Sequence, residues 1–409
     1  MKDSVGQIER LTQNRVIRFF QDTLAYRYLG DWHDRENNRN IETEILTDWL
    51  KTQSVDDALI PRALRELDRA SALGEGKHLY DANRATYELL KYGVKVSAGA
   101  GEHKTTVNLI DWSNPLNNDF AIAEEVSVKG ENKKRPDIVL YINGIALGVL
   151  ELKRSSVSVS EGIQQNRSNQ EKHFIRNFFT TMQLVLAGND SEGLRYGTIL
   201  TPEKHFYQWK QDERFADGVN ADNRLDSDLA VLCDKARLLE IVHDYVVFDA
   251  GVKKIPRHNQ YYGVRAAQAF VNRKEGGIIW HTQGSGKSLT MVWLAKWLRS
   301  NLEDARVLVI TDRRELDEQI EQVFTGVDEQ IVRTKSGSDL IDKLNQTTPW
   351  LLCSLVHKFG GKGEISDAEL TEKDAKQYIE DLRNSLPTCL LYTSPSPRDQ
   401  RGSRMPSSA

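Results

Sequence analysis

Two stretches of this 409-residue chain carry residue types suited to phosphate chemistry. In the first, Arg135-Pro136-Asp137 is followed, fourteen residues after the aspartate, by Glu151-Leu152-Lys153. Paired carboxylates are hard oxygen ligands suited to Mg2+, which would polarise a phosphodiester and acidify a water. Side chains alternate along a strand, so Glu151 and Lys153 share one face and Leu152 takes the other. Lys153 would then hold or deprotonate the attacking water beside the metal. An ExK triplet alone is common on a solvated edge strand. The apolar flanks Val149, Leu150 and Leu152 weaken that bland reading, because they imply a buried strand where unpaired charge is costly.

The second stretch is Trp280-His281-Thr282-Gln283-Gly284-Ser285-Gly286-Lys287-Ser288, between a predicted strand and a predicted helix. Backbone N–H groups at a helix N-terminus point at phosphate, and glycines let that backbone approach closely. Lys287 would reach the β and γ phosphates of a nucleotide such as ATP, and the Ser288 hydroxyl would ligate Mg2+. Thr282, Gly284, Ser285 and Gly286 would line the cradle. The pattern GxxxxGK[ST] wants glycine at position 281, where this chain has His281. The first stretch, for its part, matches the PD…(D/E)xK arrangement of metal-dependent nucleases, with Asp137 and Glu151 as metal ligands.

Those carboxylates must meet across a hairpin whose turn is Asn143-Gly144, a strong turn pair. A two-residue loop with regular pairing would set Asp137 opposite Leu150 and point it away from Glu151. A three-residue loop, Asn143 to Ile145 with a bulge, pairs Asp137 with Glu151, so the bulged hairpin is expected.

Around these motifs the chain divides into zones. Residues 7–92 read as mostly helical, with Val16, Ile17, Phe19, Phe20, Leu24 and Tyr28 at helical spacing, and with Ile45–Leu50 and Tyr87–Tyr92 of like character. From Val107 to about Trp209 strands are expected, at Val107–Trp112, Phe120–Ala123, Asp137–Ile142 and Ile145–Lys153. Asp217–Asn223 reads as a loop, followed by a helix leading to Tyr245–Asp249. Gly251–His258, basic and carrying Pro256, is the candidate linker. Beyond it, helix Ala266–Val271, strand Gly277–Trp280, helix Ser288–Leu298 and strand Val307–Ile310 alternate as in a parallel sheet. From about Cys389 the chain lacks an apolar period and reads as a disordered or non-native tail.

Composition sets limits on this picture. The 55 Lys+Arg and 59 Asp+Glu leave a net charge of −4, so any nucleic-acid binding must use local basic patches. Three cysteines, Cys233, Cys353 and Cys389, with no CxxC pair, argue against a disulfide framework or a cysteine zinc site. There is no signal-peptide pattern at the start and no apolar run of the ~18 residues that span a bilayer, so a cytoplasmic protein with no membrane partner is expected.

With both motifs in order, the chain resembles the restriction (motor) subunit of type I restriction–modification enzymes, over Ser4 to about Leu386. The resemblance also rests on Thr12-Gln13-Asn14-Arg15-Val16-Ile17, on Val309–Gln319 and on Leu352–Phe359, which are similar to family segments. It implies an α/β architecture: a PD-(D/E)xK nuclease-like domain over residues 1–250, then a truncated RecA-like, superfamily-2 helicase lobe over 251–388, with 389–409 as tail. It implies cleavage of double-stranded DNA with Mg2+, ATP-driven translocation, and methyltransferase and specificity subunits as partners. Gln260, in Arg257-His258-Asn259-Gln260, resembles a glutamine that reads adenine, with Gln268 as rival. Gln165 occupies the glutamine of the family's QxxxY element, whose tyrosine position here is Asn169. No Asp-Glu-x-His box follows Lys358 and the second motor lobe is missing, so an N-terminal fragment without ATPase or translocase activity is expected. The alternatives are another ATP-driven repair nuclease or helicase, or a truncated DNA- or partner-binding fragment without turnover.

Overall fold

The computed structural model describes residues 2–99, 101–210, 223–312 and 314–355, and it divides into two compact units, Met1–His258 and Asn259–Ala409. In the first unit α1 (Lys2–Asp22) precedes β1 (Arg27–Asp31), α2 (Thr43–Thr52), α3 (Ile60–Ser71), α4 (Leu79–Tyr92) and the small pair β2 (Val94–Val96) and β3 (Thr105–Val107). Then follow β4 (Phe120–Glu124), β5 (Ile138–Ile142), β6 (Ile145–Leu152), α5 (Val159–Asn169), β7 (Leu184–Asn189) and β8 (Gly193–Gly197). Two helices, α6 (Arg224–Leu232) and α7 (Lys235–Asp244), and the hairpin β9 (Val247–Asp249) and β10 (Val252–Lys254) complete the unit.

The core is a six-stranded mixed sheet of order β1-β4-β5-β6-β7-β8. β1 runs parallel to β4 and β6 parallel to β7, while the β4–β5, β5–β6 and β7–β8 pairs are antiparallel. Every residue of β4, β5, β6 and β7 is buried, which accounts for their near-continuous apolar sequences: both faces are covered. α1 packs on β1, β4 and β6 through its apolar stripe, with Val16, Ile17 and Phe20 buried. α5 packs on β6 and β7, burying Val159 and Ile163 in a cluster with Val139, Val149 and Val185.

The hairpin differs from expectation in its turn and agrees in its consequence. Asn143 and Gly144 both have positive φ, 53° and 82°, and Ile142 pairs directly with Ile145, so the loop has two residues rather than three. The extra residue sits further along: Tyr141 pairs with Ala146 but Leu140 with Gly148, leaving Leu147 as a bulge. Beyond it Val139 faces Val149 and Ile138 faces Leu150, so the next step sets Asp137 against Glu151. The turn obeys local chemistry: Asn143 accepts from the Asp119 N–H and donates to the Leu109 carbonyl, bonds that hold it in the left-handed region.

Other expectations are corrected. Of Val107–Trp112 only Val107 pairs; beyond it Asp111 Oδ1 accepts from the Ser113 and Asn114 N–H groups, a turn that competes with a ladder. The helix before Tyr245 is two helices, because the Asp234 side chain accepts from Arg237 N and caps a new start. The candidate linker Gly251–His258 is partly strand β10. Its Lys253 is buried, donating to Asn83 Oδ1, Gln183 Oε1 and the Met182 carbonyl at 2.7, 2.6 and 3.1 Å. Burial lowers the Lys253 pKa well below its ordinary value. Of the Asp217–Asn223 loop only Asn223 lies within the described residues, and it caps α6.

The second unit opens with α8 (His258–Asn272), followed by α9 (Lys287–Asn301), β11 (Val307–Thr311), α10 (Arg314–Gly326), β12 (Val332–Arg333), α11 (Gly337–Leu344) and β13 (Leu351–Leu355). Its three strands form a parallel sheet of order β11-β13-β12. The expected strand Gly277–Trp280 is absent from that ladder, and its Ile278 and Trp280 are exposed. Apolar residues alone do not make a strand; a neighbour must supply the hydrogen bonds. Of Leu352–Phe359, β13 holds the first part, while 356–359 and the segment from Cys389 lie outside the described residues. Among the described residues no helix is long and apolar enough to cross a membrane.

Gly144 is where the register is anchored. A Cβ there would come within 2.8–2.9 Å of Glu42 O, Ile45 Cβ and Leu46 N, on a φ that L-residues resist. Gly144→Ala is expected to destabilise the first unit by about 1–3 kcal/mol, read by chemical denaturation, whereas Gly76→Ala, also at positive φ but in open space, costs about 1 kcal/mol or less.

Candidate functional site

The bulge brings Asp137 and Glu151 together. Their carboxyl groups lie in hydrogen-bond contact with each other, and Glu151 is fully buried. Asp137 Oδ2 also accepts from Leu152 N at 2.6 Å, a bond that exists only because the strand ends pair in this register. Lys153 continues the strand edge, donating its N–H to Gly188 O at 2.9 Å, and its ammonium charge favours ionisation of both carboxyls.

α5 supplies the other wall. Its start is capped by Ser158, whose side chain accepts from Ser160 N. Gly162 lets the helix lie close to the sheet: a Cβ there would sit 3.2 Å from Ala187 Cβ and 3.6 Å from Glu151 Cβ and Lys153 Cγ. Three residues on, Gln165 Nε2 donates to Glu151 Oε2 at 2.7 Å, and Asn169 Nδ2 reaches Glu151 Oε1 at 3.5 Å. The residue standing at the tyrosine position of QxxxY is thus turned toward the acid.

Burial raises both acids. Asp137 is pushed up to about 6 by desolvation, against the pull of Lys153 and the Leu152 N–H. Glu151 is raised well above its ordinary value by burial and then by the neighbouring Asp137 charge. Glu125 adds to both rises; its N–H donates to Asp137 O at 2.9 Å, and its carboxylate pairs with Arg135 and, at 3.5 Å, with Arg10. Sequence reading missed Glu125, although the β4–β5 register that opposes Glu124 to Ile138 places it beside Asp137.

Among the described residues no three His, Cys, Asp or Glu side chains form a metal-holding group. The donor set nevertheless fits Mg2+, which keeps several waters and binds through one or two carboxylates. A buried and a half-buried acid in contact, with one ammonium beside them, have a charge deficit that a divalent cation would remove.

In the second unit Gly284 and Gly286 have positive φ, 74° and 85°, and Gly286 caps α9, which starts at Lys287 and whose Leu289 and Thr290 N–H groups donate to Gly286 O at 3.1 and 3.2 Å. Lys287 Nζ folds back on the His281 and Thr282 carbonyls, 3.2 and 3.3 Å away, and Ser285 Oγ donates to Thr282 O at 2.7 Å. Ser288 is half-buried in the first turn. Gln260 is buried on α8, its Nε2 donating to Gly286 O at 2.9 Å, while the rival Gln268 is only half-buried on the same helix. His281 stands against α8, where a Cβ on Gly263 would come 3.1 Å from its ring. Burial and then Lys287 lower its pKa.

The geometry thus defines a chain with two acids in contact on a mixed sheet and, separately, a glycine-rich loop at a helix start ahead of a parallel sheet. Residues 7–205 match the family described as type I restriction enzyme R protein N terminus, and residues 259–384 match the SWI2/SNF2 ATPase family. Over its N-terminal part the chain is therefore similar to the R proteins of type I restriction enzymes, which supports an R subunit. It is 29% identical over 317 residues to a type I restriction enzyme endonuclease subunit of Methanocaldococcus jannaschii, covering 68% of this chain and 30% of that one. It is 30% identical over 287 residues to the HindI endonuclease subunit of Haemophilus influenzae, covering 64% and 27%. A Staphylococcus aureus type I endonuclease subunit is 24% identical over 380 residues, covering 91% and 38%. The chain spans about a third of the length of these relatives.

The raised acids make stability depend on pH with a definite sign. Because folding lifts Asp137 from 3.8 to about 6, the metal-free protein loses stability as pH rises through that window. Asp137→Asn removes the loss, so in EDTA the variant should match wild type below about pH 4 and exceed it by up to about 3 kcal/mol above pH 6, read by urea denaturation. Added Mg2+ should narrow the gap by stabilising wild type alone.

Proposed function

We propose that the chain is the nuclease and nucleotide-binding part of a type I restriction enzyme R subunit, cutting double-stranded DNA with Mg2+ held by Asp137 and Glu151. The observation that carries this reading is the bulge at Leu147, which opposes two acids that a regular hairpin would separate. Bound there, Mg2+ would supply a polarised phosphodiester and a more acidic water.

The protein groups have distinct work. Gln165 fixes the Glu151 carboxylate from the helix side, and the Leu152 N–H fixes Asp137 from the strand side. Lys153, on the same edge as both acids, orients the attacking water and offsets charge that grows on the phosphate oxygens as the P–O bond breaks. In the second unit Thr282, Gly284, Ser285 and Gly286 would line the ATP phosphates, Lys287 would reach the β and γ phosphates, and Ser288 would ligate Mg2+. Gln260, already bonded to this loop, contacts adenine. Methyltransferase and specificity subunits are the partners, and they choose the DNA site.

Supercoiled plasmid tests the nuclease half. With Mg2+ and no ATP, wild type should nick and linearise it, and Asp137→Ala or Lys153→Ala should slow cleavage at least about 100-fold with unchanged folding. Wild-type-like cleavage by either variant would remove the site. Lys287→Ala should weaken ATP binding at least about 10-fold by calorimetry and leave the Mg2+ response of the first unit unaltered.

A further inference from the structure

The loop that leads into Asp137 carries charge of its own. Lys129-Gly130-Glu131-Asn132-Lys133-Lys134-Arg135 holds four cations and one anion in seven residues, in a chain whose net charge is −4. Lys129, Lys133 and Arg135 are exposed and Lys134 half-buried. The loop is nevertheless fixed. Val128 and Lys134 exchange backbone hydrogen bonds at 2.9 and 3.1 Å, closing its base.

Its outer side is fastened to the turn after α5. Asn132 donates both its N–H and its Nδ2 to His173 O, at 3.0 and 2.9 Å. The Lys134 ammonium stands 4.1 Å over the Phe174 ring. Lys172 and His173 add exposed basic groups on that turn, against Glu171, which pairs with His173 at 3.3 Å.

Both ends of this assembly run into the acid pair. Arg135 lies two residues before Asp137 and pairs with Glu125, whose charge is felt by Asp137 and Glu151 alike. The 171–174 turn begins two residues after Asn169, which reaches Glu151. Two residues of extended chain span at most about 7 Å, so Arg135 and the start of the 171–174 turn border the pocket, and the lysines follow along the loop and turn that lead away from it. Anchored lysines of this kind suit a polyanion with regularly spaced charges, and a duplex presents one phosphate charge per about 1.7 Å of axis.

We infer that Lys129, Lys133 and Lys134, with Lys172, form a grip on the DNA backbone that seats the duplex over the Asp137–Glu151 pocket. This rests on the nuclease reading for its ligand, and it assigns the DNA-holding surface of the first unit. These lysines contact phosphates flanking the one that is cut and read no base, since phosphate contacts position without specifying sequence. Lys134 is a positioning residue held by Phe174.

The test is a salt titration of duplex binding by the whole chain carrying Asp137→Asn, so that nothing is cut, with a fluorescent duplex as probe. Lys129→Ala with Lys133→Ala should lower the slope of log K against log[salt] by about 2 and weaken binding at physiological salt at least about 10-fold. ATP affinity and thermal midpoint should not change, and Lys129→Arg with Lys133→Arg should restore the slope. An unchanged slope and affinity overturns the grip, as does weaker binding with the slope retained. Lost capture of a methyltransferase partner by the double alanine variant, with DNA binding intact, overturns it in favour of a protein-docking face. The nuclease reading is scored apart, in the Asp137 background of the plasmid assay. A slope that falls while Asp137→Ala still cleaves keeps the grip and rejects the acid pair.

Discussion

Two carboxyl groups held against each other, one fully buried and one half-buried, are an unfavourable arrangement, and the groups around them make it tolerable. Glu151 loses its water on a sheet covered on both faces, with Asp137 half-buried beside it, and the Asp137 charge raises the resistance of Glu151 to ionisation. The compensation is local and directional. One backbone N–H serves Asp137, two side-chain amides from α5 serve Glu151, and the Lys153 ammonium lies along the same edge. None of these groups fully neutralises the pair. In the proposed nuclease reading, that residual deficit is what a bound cation would remove.

The two candidate sites rest on different materials. The acid pair depends on side chains from four places, so it requires the hairpin register, the bulge and the close approach of α5 at Gly162 all at once. The glycine-rich loop depends on backbone: a helix that starts at Lys287, glycines at positive φ before it, and carbonyls that hold the lysine. Backbone geometry of that kind is encoded within nine consecutive residues. Asn169 illustrates the contrast in a single position. It departs from the expected tyrosine, yet it still faces Glu151, because its place one turn beyond Gln165 on α5 decides what it meets.

Burial also redefines residues that look ordinary as text. Lys253 sits in a segment with the basic, proline-containing character of a linker, but in the fold it is a strand residue with three oxygen partners and, among the described residues, no paired carboxylate. Asp317 in the second unit is likewise buried, held by Arg333 Nε at 2.6 Å and by the thiol of the buried Cys353. Ile278 and Trp280 show the reverse. Their apolar character and spacing read as a strand, and they are exposed because no neighbouring strand hydrogen-bonds to that segment among the described residues.

The sequence by itself determined which atoms are available and where backbone must turn. It established the acids and lysine on alternating strand positions, the Asn143-Gly144 reversal, the glycine-lysine-serine start of α9 and the apolar stripe of α1, since each follows from covalent spacing and local conformational preference. Only the tertiary structure decided which distant groups meet. The choice between a long turn and a short turn with a bulge at Leu147, the entry of Glu125 and Asn169 into the acid pocket and the burial of Lys253 depend on how whole strands and helices slide to fill a close-packed core. A one-residue shift in that packing exchanges the two faces of a strand, and nothing in the local sequence registers the difference.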